Sequence, residues 1–272
     1  MKKIGFVDYY ISEWHANNYP KWIEEACERL GVEYKVAYAW AELDISPVDG
    51  LSTADWCERF GAEKCESLDM LCEKSDVIVI LAPSDPEKHL LYAETVLKYG
   101  KPTYIDKTFA PDTYTCERIF ALGEEYGTPF FSSSALGYAT ELDSLSDVTT
   151  MITTGGGSNL PEYIIHQAEM IVKKLGTDVT EVSAEWKGTQ CFVDVKFGGG
   201  KRATMIYGKS MPFTVYMANG DVEKWKKADS PYFANLIEDM VRFFGDGVPS
   251  FDGSRTKAVI KICELAVAAA GK

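Results

Sequence analysis

The run Asp76-Val-Ile-Val-Ile-Leu-Ala82 limits the fold more than any other feature of this 272-residue chain. It is apolar on both faces and rich in β-branched residues, the pattern of a central strand buried on both sides of a parallel sheet. Pro83 ends it. Leu90, Leu91, Ala93, Val96 and Leu97 then follow at helical spacing up to Gly100. The same grammar runs through the first half. Residues 4–7 and 34–39 read as strands. Between them Pro20 suits the first turn of a helix, where its missing N–H costs nothing. Trp22, Ile23, Ala26, Cys27 and Leu30 continue that helix to Gly31. Residues 102–106, 112–126 and 129–133 predict strand, helix and strand. Parallel strands joined by short turns and right-handed crossovers make a doubly wound, Rossmann-like sheet.

The second half reads differently. A helix is expected over 160–175, then four strand-like runs at 180–186, 190–197, 201–207 and 213–218. Lys187-Gly188, Gly198-Gly199-Gly200 and Asn219-Gly220 mark their connections, which predicts an antiparallel meander. Two helices close the chain. One carries Phe233, Leu236, Ile237, Met240 and Phe244; the other runs from about Ser254, a candidate N-cap, to Ala270. The expected class is therefore α/β: a Rossmann-like doubly wound parallel sheet followed by an α+β domain with an open antiparallel sheet. The grammar changes near Ser132, so the domains are expected at 1–131 and 132–272.

The chain has 41 acidic against 28 basic side chains, a net charge of −13, which repels phosphate backbones and disfavours nucleic acid as a partner. Its seven cysteines, Cys27, Cys57, Cys65, Cys72, Cys116, Cys191 and Cys263, contain no C-x-x-C pair. They read as free thiols of a reducing, cytoplasmic compartment, with no zinc or other metal site. The opening MKKIGFVDYY is interrupted by Asp8 and followed by no small-residue cleavage site, so it reads as a first strand rather than a signal peptide. No run of about 18 apolar residues predicts a membrane span.

Lys107 stands at the carboxyl end of a predicted parallel strand, the edge where doubly wound sheets bind ligands. A lysine there can hydrogen-bond a substrate hydroxyl and stabilise developing alkoxide charge; the plainer alternative is a surface lysine paired with Asp106. His166 lies on an amphipathic helix whose apolar stripe is Ile164, Ala168, Ile171 and Leu175. Glu162, His166, Glu169 and Lys173 form the opposite stripe. A carboxylate one turn from an imidazole orients it and raises its basicity, which suits a general base. A solvated helix face is the alternative, and Glu169 and Lys173 are read as surface. Trp14-His15 can line a substrate pocket and stack on a sugar ring, or simply plug the space. Gly155-Gly156-Gly157 reads as an anion-binding turn or as a flexible approach to the helix.

Several of these segments together resemble a known family. Tyr104-Ile-Asp-Lys-Thr-Phe-Ala110 resembles the V-x-x-E-K-P-x-A segment of Gfo/Idh/MocA oxidoreductases. Gly157-Ser-Asn-Leu-Pro-Glu162-Tyr-Ile-Ile-His166 is similar to their G-G-G…D-x-x-x-H helix, and Leu81-Ala-Pro-Ser84 with His89 to their A-T-P-N…H segment. Residues 233–272 resemble the closing pair of helices, so the likeness spans nearly the whole chain in order. It implies NAD(P)-dependent oxidation or reduction of a sugar, polyol or related hydroxy compound, and a homo-oligomer formed through the open sheet. Lys107, His166 and Glu162 would be catalytic. NAD or NADP would lie along Asp8, Tyr10, Ile11, Glu42, Pro83, Ser84, His89 and Asp106, with substrate near Trp14 and His15.

The departures are concentrated in the first turn. Where the family has G-x-G-x-x-G/A, this chain has Asp8-Tyr-Tyr10-Ile-Ser-Glu13. Those glycines allow a tight turn and close backbone approach to the pyrophosphate. Tyr10 would fill that space, and Asp8 and Glu13 would set negative charge beside a negative ligand. Asp106 replaces the family's Glu, Thr108 its Pro and Glu162 its Asp; Glu42 and Asp44 are the candidates for holding a ribose. Two further readings therefore stand beside the first: a cofactor-independent isomerase or lyase, and a non-catalytic sugar-binding protein on the same fold.

Overall fold

Strands that are apolar on both sides need helices over both faces, and the first half of the chain supplies them. The structure, a computed structural model, describes residues 1–271. They divide into two compact units: Met1–Ala110, Tyr114–Ser132 and Leu236–Phe251 in the first, and Pro111–Thr113, Ser133–Asn235 and Asp252 onward in the second. These units differ from the contiguous split expected at 132, because residues 236–251 cluster with the first unit and residues 111–113 with the second. Aromatic packing accounts for the first of these: Phe243 meets Phe131 with ring centroids 4.9 Å apart, and Phe244 meets Tyr34 at 5.9 Å.

The first unit runs β1 (Lys2–Asp8), α1 (Trp14–Leu30), β2 (Tyr34–Ala41), α2 (Thr53–Phe60), β3 (Glu63–Lys64), α3 (Leu68–Lys74), β4 (Val77–Ile80), α4 (Glu87–Val96), β5 (Thr103–Ile105), α5 (Thr113–Tyr126) and β6 (Phe130–Phe131). Its six strands are all parallel, in the order β3-β2-β1-β4-β5-β6. The order reverses between β1 and β4, and such a switch point opens a crevice at the carboxyl ends of the strands. Every residue of β4 is buried. Val7 pairs with Ile80 and Ile80 with Ile105, so Asp8, Leu81 and Asp106 leave the sheet at one edge.

α1 begins at Trp14, six residues before the start expected from Pro20, which lies inside the helix. Glu13 is its N-cap. Caps are usually Ser, Thr, Asp or Asn, as Ser52 and Ser67 are for α2 and α3, so a glutamate gave no start signal.

In the second unit the order is β7 (Thr150–Gly155), α6 (Leu160–Leu175), β8 (Val179–Lys187), β9 (Gln190–Phe197), β10 (Arg202–Tyr207), β11 (Thr214–Ala218) and β12 (Glu223–Lys227). α7 (Tyr232–Asp246) and α8 (Gly253–Ala269) follow. The sheet order is β12-β11-β7-β10-β9-β8, and it is mixed rather than purely antiparallel: β10 runs parallel to β7. β7 precedes α6, and the helix carries the chain across the sheet before β10 returns beside β7. α6 and α8 pack on one face, over the buried Met151, Thr153, Val193 and Met205. The other face exposes Ile152 and Trp225. Asp252, not Ser254, caps α8, its carboxylate accepting from the Ser254 N–H. All seven cysteines are free and buried. Among the described residues no helix is long and apolar enough to cross a membrane.

Candidate functional site at the carboxyl edge of the parallel sheet

The turn after β1 is built by its own carboxylates. Glu13 closes the N-terminus of α1: the His15 N–H donates to its Oε2 at 2.8 Å, and the Ala16 N–H donates to its Oε1. Those N–H groups, with the positive end of the helix dipole, are what an anionic ligand meets at such a turn. Asp8 takes the next donors, from the Tyr9 N–H at 2.7 Å and the Ala82 N–H at 3.0 Å. Ala82 is a non-glycine residue with φ of 57°, a conformation that costs about 1–2 kcal/mol and that the Asp8 bond helps to hold. Ser12 donates to Asp49, and its carbonyl receives the Ser46 hydroxyl, so the turn is tied to the loop after β2.

Asp8 is fully enclosed, and its Oδ2 finds no hydrogen-bond partner among the described residues. Burial, then the charge of Glu13, pushes its pKa well above the usual carboxylate range. An acid whose folded pKa is raised favours folding in its protonated form. That contribution is lost as pH climbs from the unfolded value of 3.8 through the folded one. Asp8→Asn keeps an acceptor for Tyr9 and Ala82 and removes the ionisation. Its melting temperature therefore holds across the range where the wild type declines, which thermal denaturation at stepped pH measures; parallel curves would contradict the assignment.

Asp106 and Lys107 follow β5. Asp106 Oδ1 accepts from the hydroxyls of Tyr104 at 3.1 Å and Tyr19 at 3.3 Å. Its Oδ2 is buried without a hydrogen-bond partner among the described residues; His15 Nε2 stands 3.8 Å away. His15 Nδ1 lies 3.1 Å from Glu13 Oε2, so the imidazole sits between two carboxylates. Burial, then Asp106, raises the Tyr19 pKa well above its ordinary value and keeps that hydroxyl a donor. Lys107 is 8% exposed and its Nζ donates to the Pro83 carbonyl at 3.3 Å. Among the described residues it forms no ion pair with Asp106, which the surface-lysine alternative required. Trp14 is half exposed at the first position of α1, edge-on to His15 at 5.0 Å and to Trp22 at 5.6 Å.

Other expected ligand positions are occupied by the chain itself. Glu42 pairs with Lys88 at 2.6 Å and accepts from the Tyr92 hydroxyl at 2.8 Å. Partial burial raises its pKa, but the bonds from Lys88 and Tyr92 outweigh that and leave it lowered. Ile11 and Pro83 are buried, Tyr10 is half-buried with its ring against Tyr9, and Ser84 is exposed. His89, expected along a ligand-facing edge, is completely buried: Nδ1 lies 3.0 Å from the Phe109 carbonyl and Nε2 against the Leu81 carbonyl. Burial lowers its pKa. The ring joins the turn after β4 to the loop after β5, so it positions the edge rather than facing a ligand. His89→Ala strands the buried carbonyl that accepts from the one N–H of the neutral ring and is expected to cost about 2 kcal/mol in denaturant unfolding, within the usual penalty for an orphaned polar group; an unchanged midpoint would refute the role.

His166 lies half-buried in α6, its Nδ1 2.6 Å from the Ser134 hydroxyl and its ring edge-on to Tyr163 and Phe213. Glu162, expected to orient it, takes part in the cap of α6: its carboxylate accepts from Ser158 and Asn159, and its N–H donates to Asn159. Glu169, read as surface, is 2% exposed. It accepts from the Ser134 N–H at 3.0 Å and pairs with Arg255 at 3.0 Å. Ser134 thus links His166 to a buried ion pair. Lys173 is half-buried too, which lowers its pKa. Gly157 has φ of 158° and a Cβ there would sit 2.0 Å from the Tyr163 ring, so this glycine run is packed, not merely flexible. Tyr19, Tyr104, Ser134 and Arg255 are not among the residues expected at the site, Glu13 is expected there only as a charge beside the ligand, and Glu169 only as surface. Two carried a signal: Tyr19 is one turn from His15, and Glu169 three residues from His166.

No family model matches the chain. The structure aligns with a putative myo-inositol dehydrogenase from Sinorhizobium meliloti 1021 at a TM-score of 0.80 and 12% identity, covering 100% of this chain and 98% of that one. It aligns with UDP-N-acetylglucosamine 3-dehydrogenase from Acidithiobacillus ferrooxidans at 0.78 and 13% identity, covering 99% and 97%. The fold is that of the Gfo/Idh/MocA oxidoreductases. Biliverdin reductase from Synechocystis sp. PCC 6803, solved with biliverdin and NADP+, shares it at 0.71 and 16% identity, covering 99% of each chain. A dTDP-3,4-didehydro-2,6-dideoxy-α-D-glucose 3-reductase from Actinomadura kijaniata is 33% identical over 70 residues, 26% of this chain. The chain spans about a fifth of that relative's length, 21%.

The Gfo/Idh/MocA fold implies a nicotinamide dinucleotide, and the first turn does not fit one. The N–H groups of His15 and Ala16 that would receive a pyrophosphate already donate to Glu13. Asp8, Glu13 and Asp106 make the surroundings acidic.

Proposed function

We propose that the chain is an enzyme acting on a sugar, polyol or related hydroxy compound, with Lys107 meeting the substrate oxygen. One observation carries this reading: a buried ammonium at the carboxyl edge of the sheet, beside the switch point, bonded to a backbone carbonyl rather than to a carboxylate. A donor held there without a counter-charge suits an oxygen that gains negative charge during reaction. The dehydrogenase and reductase names of the structural neighbours support a hydroxyl or carbonyl as the reacting group. The test is a thermal-shift screen of sugars, polyols and nucleotide sugars. A compound that raises the melting temperature of the wild type and not of Lys107→Ala supports the reading; equal shifts in both would overturn it.

Two chemistries fit a substrate held there. Oxidation or reduction with NAD or NADP is what the neighbours' names support. Proton transfer beside a carbonyl is the second, and the filled first turn favours it. In that case a base takes the proton from the carbinol carbon, the enediolate forms with its oxygen on Lys107, the hydroxyl proton passes from the carbinol oxygen to the former carbonyl oxygen, and the base returns its proton to the former carbonyl carbon. Hydroxyl and carbonyl exchange places, with no electrons gained or lost. His15, held between Glu13 and Asp106, is the candidate proton carrier in the same unit.

A further inference from the structure

We infer that Glu13 and Asp8 replace the pyrophosphate, and that the chain binds neither NAD nor NADP. The fold and the first turn carry this, independently of the role given to Lys107. At the end of β1 a dinucleotide-binding turn leaves its backbone N–H groups pointing at empty space, and glycines let the phosphates approach them. Here both kinds of opening are closed. The His15 and Ala16 N–H groups each bond one oxygen of the Glu13 carboxylate, a planar two-oxygen anion capping the N-terminus of α1. The Tyr9 and Ala82 N–H groups bond Asp8. Glu13 is 9% exposed and Asp8 1%, so neither is a surface side chain that swings aside without giving up buried bonds.

Charge points the same way. A pyrophosphate would enter beside the carboxylates of Glu13 and Asp106, and like charges at a few ångströms in a poorly solvated site repel strongly, while Asp8 takes up N–H donors that the ligand would need. Lys88, beside the ribose candidate Glu42, is paired with that carboxylate and lies over the Tyr9 ring at 4.6 Å. The turn is also braced from outside, since Leu43 N–H donates to the Tyr9 carbonyl and Glu42 N–H to the Asp8 carbonyl. The carboxylates are therefore part of the turn's own hydrogen-bond accounting. Removing them should open a seat that the rest of the fold still frames.

Isothermal titration of the full chain with NAD, NADH, NADP and NADPH, each alone, tests this. The wild type is expected to give no saturable binding with any of the four. Asp8→Gly/Glu13→Gly, checked for native circular dichroism, is expected to bind at least one of them at least tenfold more tightly than the wild type. If that variant does not fold, Glu13→Ser keeps a capping oxygen and takes its place. Micromolar binding by the wild type would overturn the inference. So would a folded variant that stays as inert as the wild type, because the carboxylates would then not be what excludes the ligand. Neither result bears on the Lys107 screen, which fails only through its own comparison.

Discussion

Lys107→Ala is expected to lower kcat by about 10²–10³-fold on whichever hydroxy compound the thermal screen returns, the loss seen when one donor to a developing oxyanion is removed. The lysine ends β5, its stem is buried, and its ammonium is tethered by the Pro83 carbonyl. It is therefore already placed before a substrate arrives, and the interaction it makes strengthens as negative charge grows on the substrate oxygen. KM should change less than kcat, since a neutral hydroxyl or carbonyl is held by other contacts as well. Lys107→Arg should not restore the rate, because a planar fork cannot replace a point donor in a closed site. Steady-state kinetics with a circular-dichroism check on folding decides it. A variant with wild-type kcat would remove the residue from the mechanism.

Arg255→Met is expected to destabilise the second unit by about 3–5 kcal/mol, the cost of leaving one member of a buried ion pair without its partner. Glu169 is 2% exposed and, among the described residues, would keep the Ser134 N–H. The double variant Glu169→Gln/Arg255→Met should recover most of the loss, since it removes the stranded charge along with the missing one. Chemical denaturation of the two single variants and the double gives the coupling directly. Independent, additive losses would mean that the pair does not act as a unit. Because Ser134 also holds His166 Nδ1, the single variant is expected to loosen that imidazole as well.

How much of this could be read from residue order follows from what each element advertises. β4 announces itself, since Val-Ile-Val-Ile has no polar side to face water. Parallel order and the ligand-bearing edge follow from it, and Lys107 is found by counting to the end of the next strand. β7 gives a weaker signal. Thr150-Met-Ile-Thr-Thr-Gly alternates over only six residues and runs into two more glycines, so the parallel β7–β10 pair and the mixed sheet were not foreseen. The polar stripe on α6 was read as solvated beyond His166. Periodicity separates faces of a helix, but it does not say that Arg255, 86 residues away, covers the one carrying Glu169.

The first turn shows the same limit. Loss of the glycines is plain in Asp8-Tyr-Tyr10-Ile-Ser-Glu13, and like charge near a phosphate site follows at once. That Glu13 turns back to cap α1, with both oxygens on backbone N–H groups, depends on where the helix begins. Pro20 placed that start a turn and a half too late. Trp14 and His15, read as lining a substrate pocket or as packing that plugs the space, lie on the first turn of α1, with the indole exposed and the imidazole between two carboxylates.

A chain whose anion seat is filled from within should leave the cell empty-handed. Freshly purified protein, denatured and passed through a filter, is expected to release far less than one nicotinamide dinucleotide per chain when the filtrate is quantified by liquid chromatography and mass spectrometry. Release of NAD or NADP in a one-to-one ratio would contradict the account.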